Sequence, residues 1–395
     1  MRAKLGKMPA LLLALGLLLP TPVAAELVTP QMQAHVHQGV DAVYRMQFDI
    51  AEKEFSQLRT LNPEHPYGHF GLALVIWMRY TYGSEGTDQS LVPAFNKQVK
   101  KTVKIGEAWV KLHPKDAEGW MALGAIRGLR ARLLLADRHY IKAYLTGRNA
   151  MKSVRKAVKM DPDLVDAKLG VAMYDYYTDL YPHFVGVLAK IVLRGNRKRG
   201  IELLKLIAEK GNYTRTAGKM LLIEIYNQDP FGDRNPPEAV RLIKEVRTLY
   251  PKSAMLHSAE LVSLFHAGRY DDVFPSVKEY LDRTRDGTYR PMEAAKGYVI
   301  LGTTHLAKGE LEVALRSYHQ ASRIMLAGRI CRWAVWGMIR TGHAQDLLGQ
   351  RNLALSSYKE AAKQPDLWGY KKIAKRQLKR PFKKKEPLEL GPPRH

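Results

Sequence analysis

Two stretches near the C-terminus carry the same residues at one displacement of 40. Gly302, Gly309, Ala314, Tyr318 and Ala321 return as Gly342, Gly349, Ala354, Tyr358 and Ala361. Five matched positions at a common offset predict a chain built by stacking one unit, not a single irregular core. Gly302 and Ala314 fall on two helices separated by a turn at Gly309. Small side chains there let antiparallel helices approach closely. Tyr318 and Ala321 lie three apart, on one helical face, where they can pack on the next hairpin.

The same spacing recurs upstream. Ala51, Phe55, Leu58 and Pro63 form one copy, with Gly39 as its small first-helix residue. Trp120, Leu123 and Gly124 begin another, continued by Ala150, Val154, Ala157 and Pro162. Ala239, Ile243, Val246 and Pro251 form a third. Four units end in an apolar residue, a spacer and a proline, at Pro63, Pro114, Pro162 and Pro251. Proline cannot continue the helical hydrogen-bond ladder, so each marks a stop.

Trp120, Leu123 and Gly124 reproduce the W-x2-L-G of a tetratricopeptide first helix, and the Ala-x3-apolar and Pro spacing reproduces its second. Over roughly residues 30–378 the chain resembles the tetratricopeptide repeat family, in its exported bacterial form. The resemblance implies an all-α fold, a right-handed α-α superhelix of about seven to eight helical hairpins. It also implies function by binding, on a concave groove lined by first helices. Hairpins are expected near 33–62, 67–113, 117–161, 163–210, 213–250, 254–283, 292–325 and 331–364, with a last helix near 366–379. Proline stops at 63, 114 and 162 are 51 and 48 apart. That exceeds the ideal period of about 34, so these units carry extended helices or loops.

The first 25 residues read as an export signal: Arg2, Lys4 and Lys7, then a short apolar stretch at 11–19, then Val23-Ala24-Ala25. The domain reading is a signal at 1–25, a repeat domain at 26–370 and a basic, disordered tail at 371–395. The expected place is outside the cytoplasm, in a periplasm. The alternative is anchoring by an uncleaved N-terminal segment. Glu26, not Cys, follows the cleavage site, which argues against a lipoprotein. The single Cys, Cys331, excludes an internal disulfide and reads as a buried thiol.

Lys and Arg number 63 against 38 Asp and Glu, a net +25. Such an excess biases association toward anionic surfaces. Nucleic acid fits an exported chain poorly. The expected partners are another envelope protein or peptide segment, an anionic envelope polymer such as peptidoglycan or lipopolysaccharide phosphate, or a membrane surface. Oligomeric state stays open.

No phosphate-binding loop, H-E-x-x-H, G-x-S-x-G or C-x-x-C is present. No catalytic residue, metal or cofactor is expected, and the chain is read as a non-enzyme. His35 and His37 read as surface residues, and Asp229, Asp233 and Asn235 as loop and cap residues. The candidate partner-binding residues are the basic clusters Arg127, Arg130 and Arg132, and Arg194, Arg197, Lys198 and Arg199. Tyr174 and Tyr177 join them as an aromatic platform. From 371 to 385 there are nine Lys or Arg and no acid, read as an electrostatic attachment.

Overall fold

The computed structural model describes residues 27–136, 139–180, 195–326, 329–365, 369–384, 388 and 390. The expected signal at 1–25 and Arg194 lie outside them. Seventeen α-helices follow one another along the described chain. The first two hairpins are α1 (Pro30–Tyr44) with α2 (Phe48–Leu61), and α3 (Pro66–Met78) with α4 (Leu91–Leu112). The third pairs α5 (Ala117–Ala136) with α6 (Tyr140–Met160). The fourth pairs α7 (Lys168–Leu180) with α8 (Arg197–Lys210). Next come α9 (Arg215–Gln228) with α10 (Pro236–Leu249), and α11 (Ala254–His266) with α12 (Tyr270–Arg285). The last pairs are α13 (Glu293–Ala307) with α14 (Leu311–Ser322), and α15 (Arg332–Leu347) with α16 (Arg351–Lys363). Helix α17 (Tyr370–Lys379) closes the series. Each helix packs on the next, and α1 on α3, α3 on α5, α5 on α7, α9 on α11, α11 on α13 and α13 on α15 form a first-helix layer. The only strands among the described residues are the two-residue pair in which Met325 faces Ile330.

Local chemistry places the boundaries. Thr29 accepts from Met32 N ahead of Pro30, Asn196 from Arg199 N, Asn235 from Glu238 N ahead of Pro236, and Ser253 from Leu256 N. Each satisfies an amide that the first turn would leave unpaired. Helices α2, α4, α6 and α10 all end two residues before the prolines singled out above. Gly309 and Gly349 turn the chain at φ 83° and 75°, a left-handed conformation open to glycine at no steric cost.

The repeated small residues are where two helices touch. A methyl group on Gly342 would sit 2.4 Å from the Tyr358 ring, and one on Gly302 2.7 Å from Tyr318. On Gly39 it would sit 2.6 Å from Phe55. In all three hairpins the contact spans sixteen residues. Overlap of this kind costs about 1–3 kcal/mol when a core cannot yield. Tyr318 and Tyr358 are fully buried.

The array also meets itself across its interior. Tyr250 Oη donates to Asp41 at 2.8 Å, joining α10 to α1. The loop after α3 reaches the seventh and eighth hairpins. Arg290 donates to the carbonyls of Tyr82, at 2.5 Å, and Gly83. Glu85, at φ 50°, is buried between Lys296 at 3.1 Å and Arg332 at 2.6 Å. Burial pulls the Lys296 ammonium toward neutrality, but Glu293 and Glu85 outweigh it and hold the charge. The loop of the second hairpin is therefore tied to the starts of the first helices of hairpins seven and eight.

The C-terminal segment differs from a free tail over its described part. Tyr370, Ile373, Ala374 and Gln377 of α17 are buried, and so are Phe382 and Leu390. Phe382 stacks on His343 at 4.0 Å between centroids. The lysines from 371 to 379 thus decorate a docked amphipathic helix, whose apolar stripe was masked by their number.

Candidate functional site

Helices α4 to α6 concentrate positive charge. Residues 91–160 hold sixteen Lys or Arg and four Asp or Glu, a net +12 out of the chain's +25. On α4, Lys97, Lys100, Lys101, Lys104 and Lys111 are exposed and recur at helical spacing, so they form one face. On α6, Arg148, Lys152, Arg155, Lys156 and Lys159 do the same.

Between these faces lies a cleft of about 580 Å³, floored by α5. Glu107, Val110 and Lys111 of α4 line one wall, and Asn149, Lys152, Ser153 and Lys156 of α6 the other. Trp120, Leu123 and Arg127 form the floor. A second depression continues it along α4 past Lys97, Lys100, Lys101, Val103 and Lys104. Arg127 spans the floor, donating to Ser153 Oγ at 2.8 Å and pairing with Glu107. Lys156 Nζ lies 3.8 Å from the Trp120 ring centroid, a cation held over an aromatic face. Trp120 is itself oriented by its indole N–H, which donates to Pro114 O at 3.2 Å. The cleft opens between two second helices, not on the first-helix groove expected from the repeat.

Arg127 is thus the sequence-predicted residue placed in the cleft, while Arg130 and Arg132 stand exposed farther along α5. Of the other predicted residues, Arg197, Arg199 and Tyr177 lie at a joint between α7, α8 and the loop after α9. Arg199 grips the buried Asp175 with two bonds, 2.6 and 2.8 Å. Arg197 reaches Asp229 at 3.4 Å and Asp233 at 3.3 Å and lies over the Phe231 ring. Tyr177 is half-buried, edge-on to Tyr176. Tyr174 lies beneath Arg155. Lys198 is exposed.

Asp229 anchors this joint. It accepts from Tyr176 Oη at 2.8 Å and from the Phe231 and Asp233 amides at 2.8 and 2.9 Å. Burial alone would raise its carboxyl, yet these donors and Arg197 hold it below the usual range. The loop is tied by hydrogen bonds. Asn235 caps α10, as its place before Pro236 implied.

Lys97, Lys100, Lys101, Lys104, Lys111, Lys152 and Lys156 of the cleft fall outside the residues expected from the sequence. Their spacing of three, four and seven was the signal. Cys331 is buried, which pushes its thiol up and away from reactivity. Among the described residues no group of three His, Cys, Asp or Glu is placed to hold a metal ion. Nor is any described helix long and apolar enough to cross a membrane.

No protein-family model and no curated protein matches the sequence. Solved structures of similar arrangement include a human IFIT1 dimer with PPP-AAAA, 13% identical, covering 89% of this chain and 85% of that one at a TM-score of 0.45. Yeast Tom70 is 9% identical, with 87% and 88% covered and a TM-score of 0.38. A tetratricopeptide repeat protein from Parabacteroides merdae is 12% identical, with 78% and 100% covered and a TM-score of 0.32. By its own geometry, antiparallel hairpins stacked in series, three of them clasped by glycine-on-aromatic contacts at a sixteen-residue interval, the chain folds as an all-α helical solenoid of tetratricopeptide-like arrangement.

Proposed function

We propose that this protein is a non-catalytic interaction scaffold that holds an acidic segment of another protein in the cleft between α4 and α6. One observation carries the reading: two facing basic helix surfaces enclose a lining whose single acid, Glu107, is already paired with Arg127. Lysine ammoniums are compact charges suited to carboxylates in several geometries. Val103, Val110, Leu123 and Trp120 add apolar surface, which suits a peptide better than a uniformly charged polymer. Export, read from residues 1–25, would put the partner in the cell envelope.

The probe is fluorescein-labelled poly-L-glutamate, followed by anisotropy across a salt titration. The pair Lys111→Glu and Lys152→Glu should weaken binding by about tenfold or more and flatten its salt dependence. The pair Lys252→Glu and Lys278→Glu, exposed on other hairpins, should change it little. Equal losses from both pairs would reduce the effect to net charge and sink the cleft. Cleft-dependent binding of polyphosphate without binding of polyglutamate would replace the acidic protein segment with an anionic polymer.

A further inference from the structure

In a stacked array each hairpin touches its neighbours in sequence, so a contact between the second hairpin and the seventh and eighth stands apart from the rest. It is made by the loop between α3 and α4. The loop opens on a π-turn at Arg79–Gly83, and local bonds hold it as one piece. Ser84 N donates to Arg79 O at 2.7 Å, Gly86 N to Tyr80 O at 2.8 Å and Thr87 Oγ1 to Ser84 O at 2.6 Å. Glu85 follows the turn at φ 50°, a left-handed backbone that a residue with a side chain adopts at a cost.

What the loop meets is a chain of alternating charge. Arg290 pairs with Glu293 at 2.9 Å, Glu293 with Lys296 at 2.8 Å, Lys296 with Glu85 at 3.1 Å and Glu85 with Arg332 at 2.6 Å. Tyr280 Oη donates to Glu293 at 2.6 Å. Glu85, Glu293 and Lys296 are buried. Arg290 also closes the end of the π-turn through the carbonyls of Tyr82 and Gly83. Apolar packing has no matching part in this junction. Tyr82 packs on a core that runs from Val28 to Leu256, whereas Met292, Val299 and Trp333 belong to the core of the last two hairpins. Among the described residues no apolar cluster holds both the loop and those hairpins.

The two kinds of contact respond differently to separation. Parting apolar helices exposes their surface to water with no compensating gain. Parting a buried ion network rehydrates each charge, which recovers much of the desolvation penalty that pairing had offset. The left-handed backbone at Glu85 is freed to relax as well. The junction is therefore a place where the array can part while its hairpins stay folded.

We propose that the Tyr82–Gly86 loop is a clasp: it fastens the second hairpin to the seventh and eighth, and it opens as a local unit with the hairpins intact. The loop runs into α4 at Leu91, so the closed clasp also fixes where that lysine-bearing helix begins. This holds whether or not an acidic segment occupies the cleft.

Cys331 reports on the opening. It precedes Arg332, is buried, and lies close enough to Glu85 and Lys296 for both charges to act on its thiol. As the single cysteine, it takes up a chromogenic disulfide reagent only when uncovered. Its labelling rate is followed in wild-type protein from zero urea through the unfolding transition. Expected is a rate that stays flat at low urea, the mark of a local opening, and becomes steep only as the whole chain unfolds. Glu85→Gln keeps the side chain's shape and removes its charge. It should raise the flat part about tenfold or more, with helical circular dichroism unchanged. Arg199→Met, which strands the buried Asp175 in the fourth hairpin, should move only the steep part. A wild-type rate that is steep from the lowest urea would mean that unfolding alone uncovers Cys331, and the clasp would be overturned without recourse to any variant. Labelling of Glu85→Gln at the wild-type rate would overturn it equally. So would a larger acceleration by Ile373→Ala than by Glu85→Gln, which would make α17 the cover of Cys331.

Discussion

Helices α4 to α6 and helices α9 to α12 are built on the same plan and treat charge in opposite ways. Residues 91–160 carry sixteen basic and four acidic residues, whereas residues 215–285 carry eleven and ten. In the second region charges meet charges. Arg241 pairs with Glu238 at 2.6 Å, Arg283 with Glu279 at 2.6 Å, Lys278 with Asp282 at 2.9 Å and Arg269 with Asp272 at 2.6 Å. Lys219 pairs with Glu245, and Arg247 with Glu260. In the first region, among the described residues, the one Lys or Arg paired with a carboxylate is Arg127, with Glu107. The hairpin does not require cation excess to form, since its neighbours form without it. Crowded like charges oppose folding, so the cation excess on facing helices is not explained by the fold, which supports the acidic partner proposed above.

The comparison can be broken most forcefully at Arg247. Arg247→Met removes the partner of Glu260, which is nearly buried, and leaves its carboxylate stranded. The expected loss is about 3 kcal/mol, measured by urea unfolding, with polyglutamate binding intact. A neutral result would mean that the paired region does not depend on its pairs.

Acid should separate the two regions next. His257 on α11 is buried between Tyr289 and Ser276. Burial, then Arg247 and Arg283, push its pKa down to about 3. Below the unfolded value of 6.5 the unfolded chain binds a proton that the folded chain refuses. Stability is therefore complete above that value and falls as pH drops toward 3. At pH 5 the loss from this residue is about 2 kcal/mol. His257→Gln should flatten that slope between pH 7 and 5 in thermal melts. An unchanged slope would remove His257 as its source.

The smallest effect is expected where charge is densest. Lys152→Met with Lys156→Met should shift stability by no more than about 0.5 kcal/mol, although Lys156 gives up its place over Trp120. A destabilisation as large as that of Arg247→Met would show these lysines to be structural and erase the contrast.

The legibility of the chain follows the same division. The eight hairpins were readable because their signals are local. Pro63, Pro114, Pro162 and Pro251 stop helices within two residues of where they stand, and Gly39, Gly302 and Gly342 mark closest approach within a single hairpin. The cleft was half readable. Arg127 stood out as one of a run of arginines, but Lys101 and Lys152 belong to different hairpins, and their sequence distance says nothing about facing each other. Arg197 and Arg199 looked like an available basic patch because Asp175 and Asp229, which hold them, are remote in sequence. The C-terminal lysines looked like a tail because nine charges obscured Tyr370, Ile373 and Ala374 on one face.

What the sequence by itself determined was the unit, its order and the extra length of the units that end at Pro114 and Pro162. Helix periodicity, caps and turn glycines act over a few residues, so they can be read without coordinates. Only the tertiary structure decided which charges are neutralised, which surfaces are covered and which stay open. Glu85 meeting Lys296 and Arg332, or Asp41 meeting Tyr250, depends on small rotations accumulated over several stacked hairpins. No local pattern encodes that sum, because each rotation is set by packing between neighbours and only their total brings distant residues together.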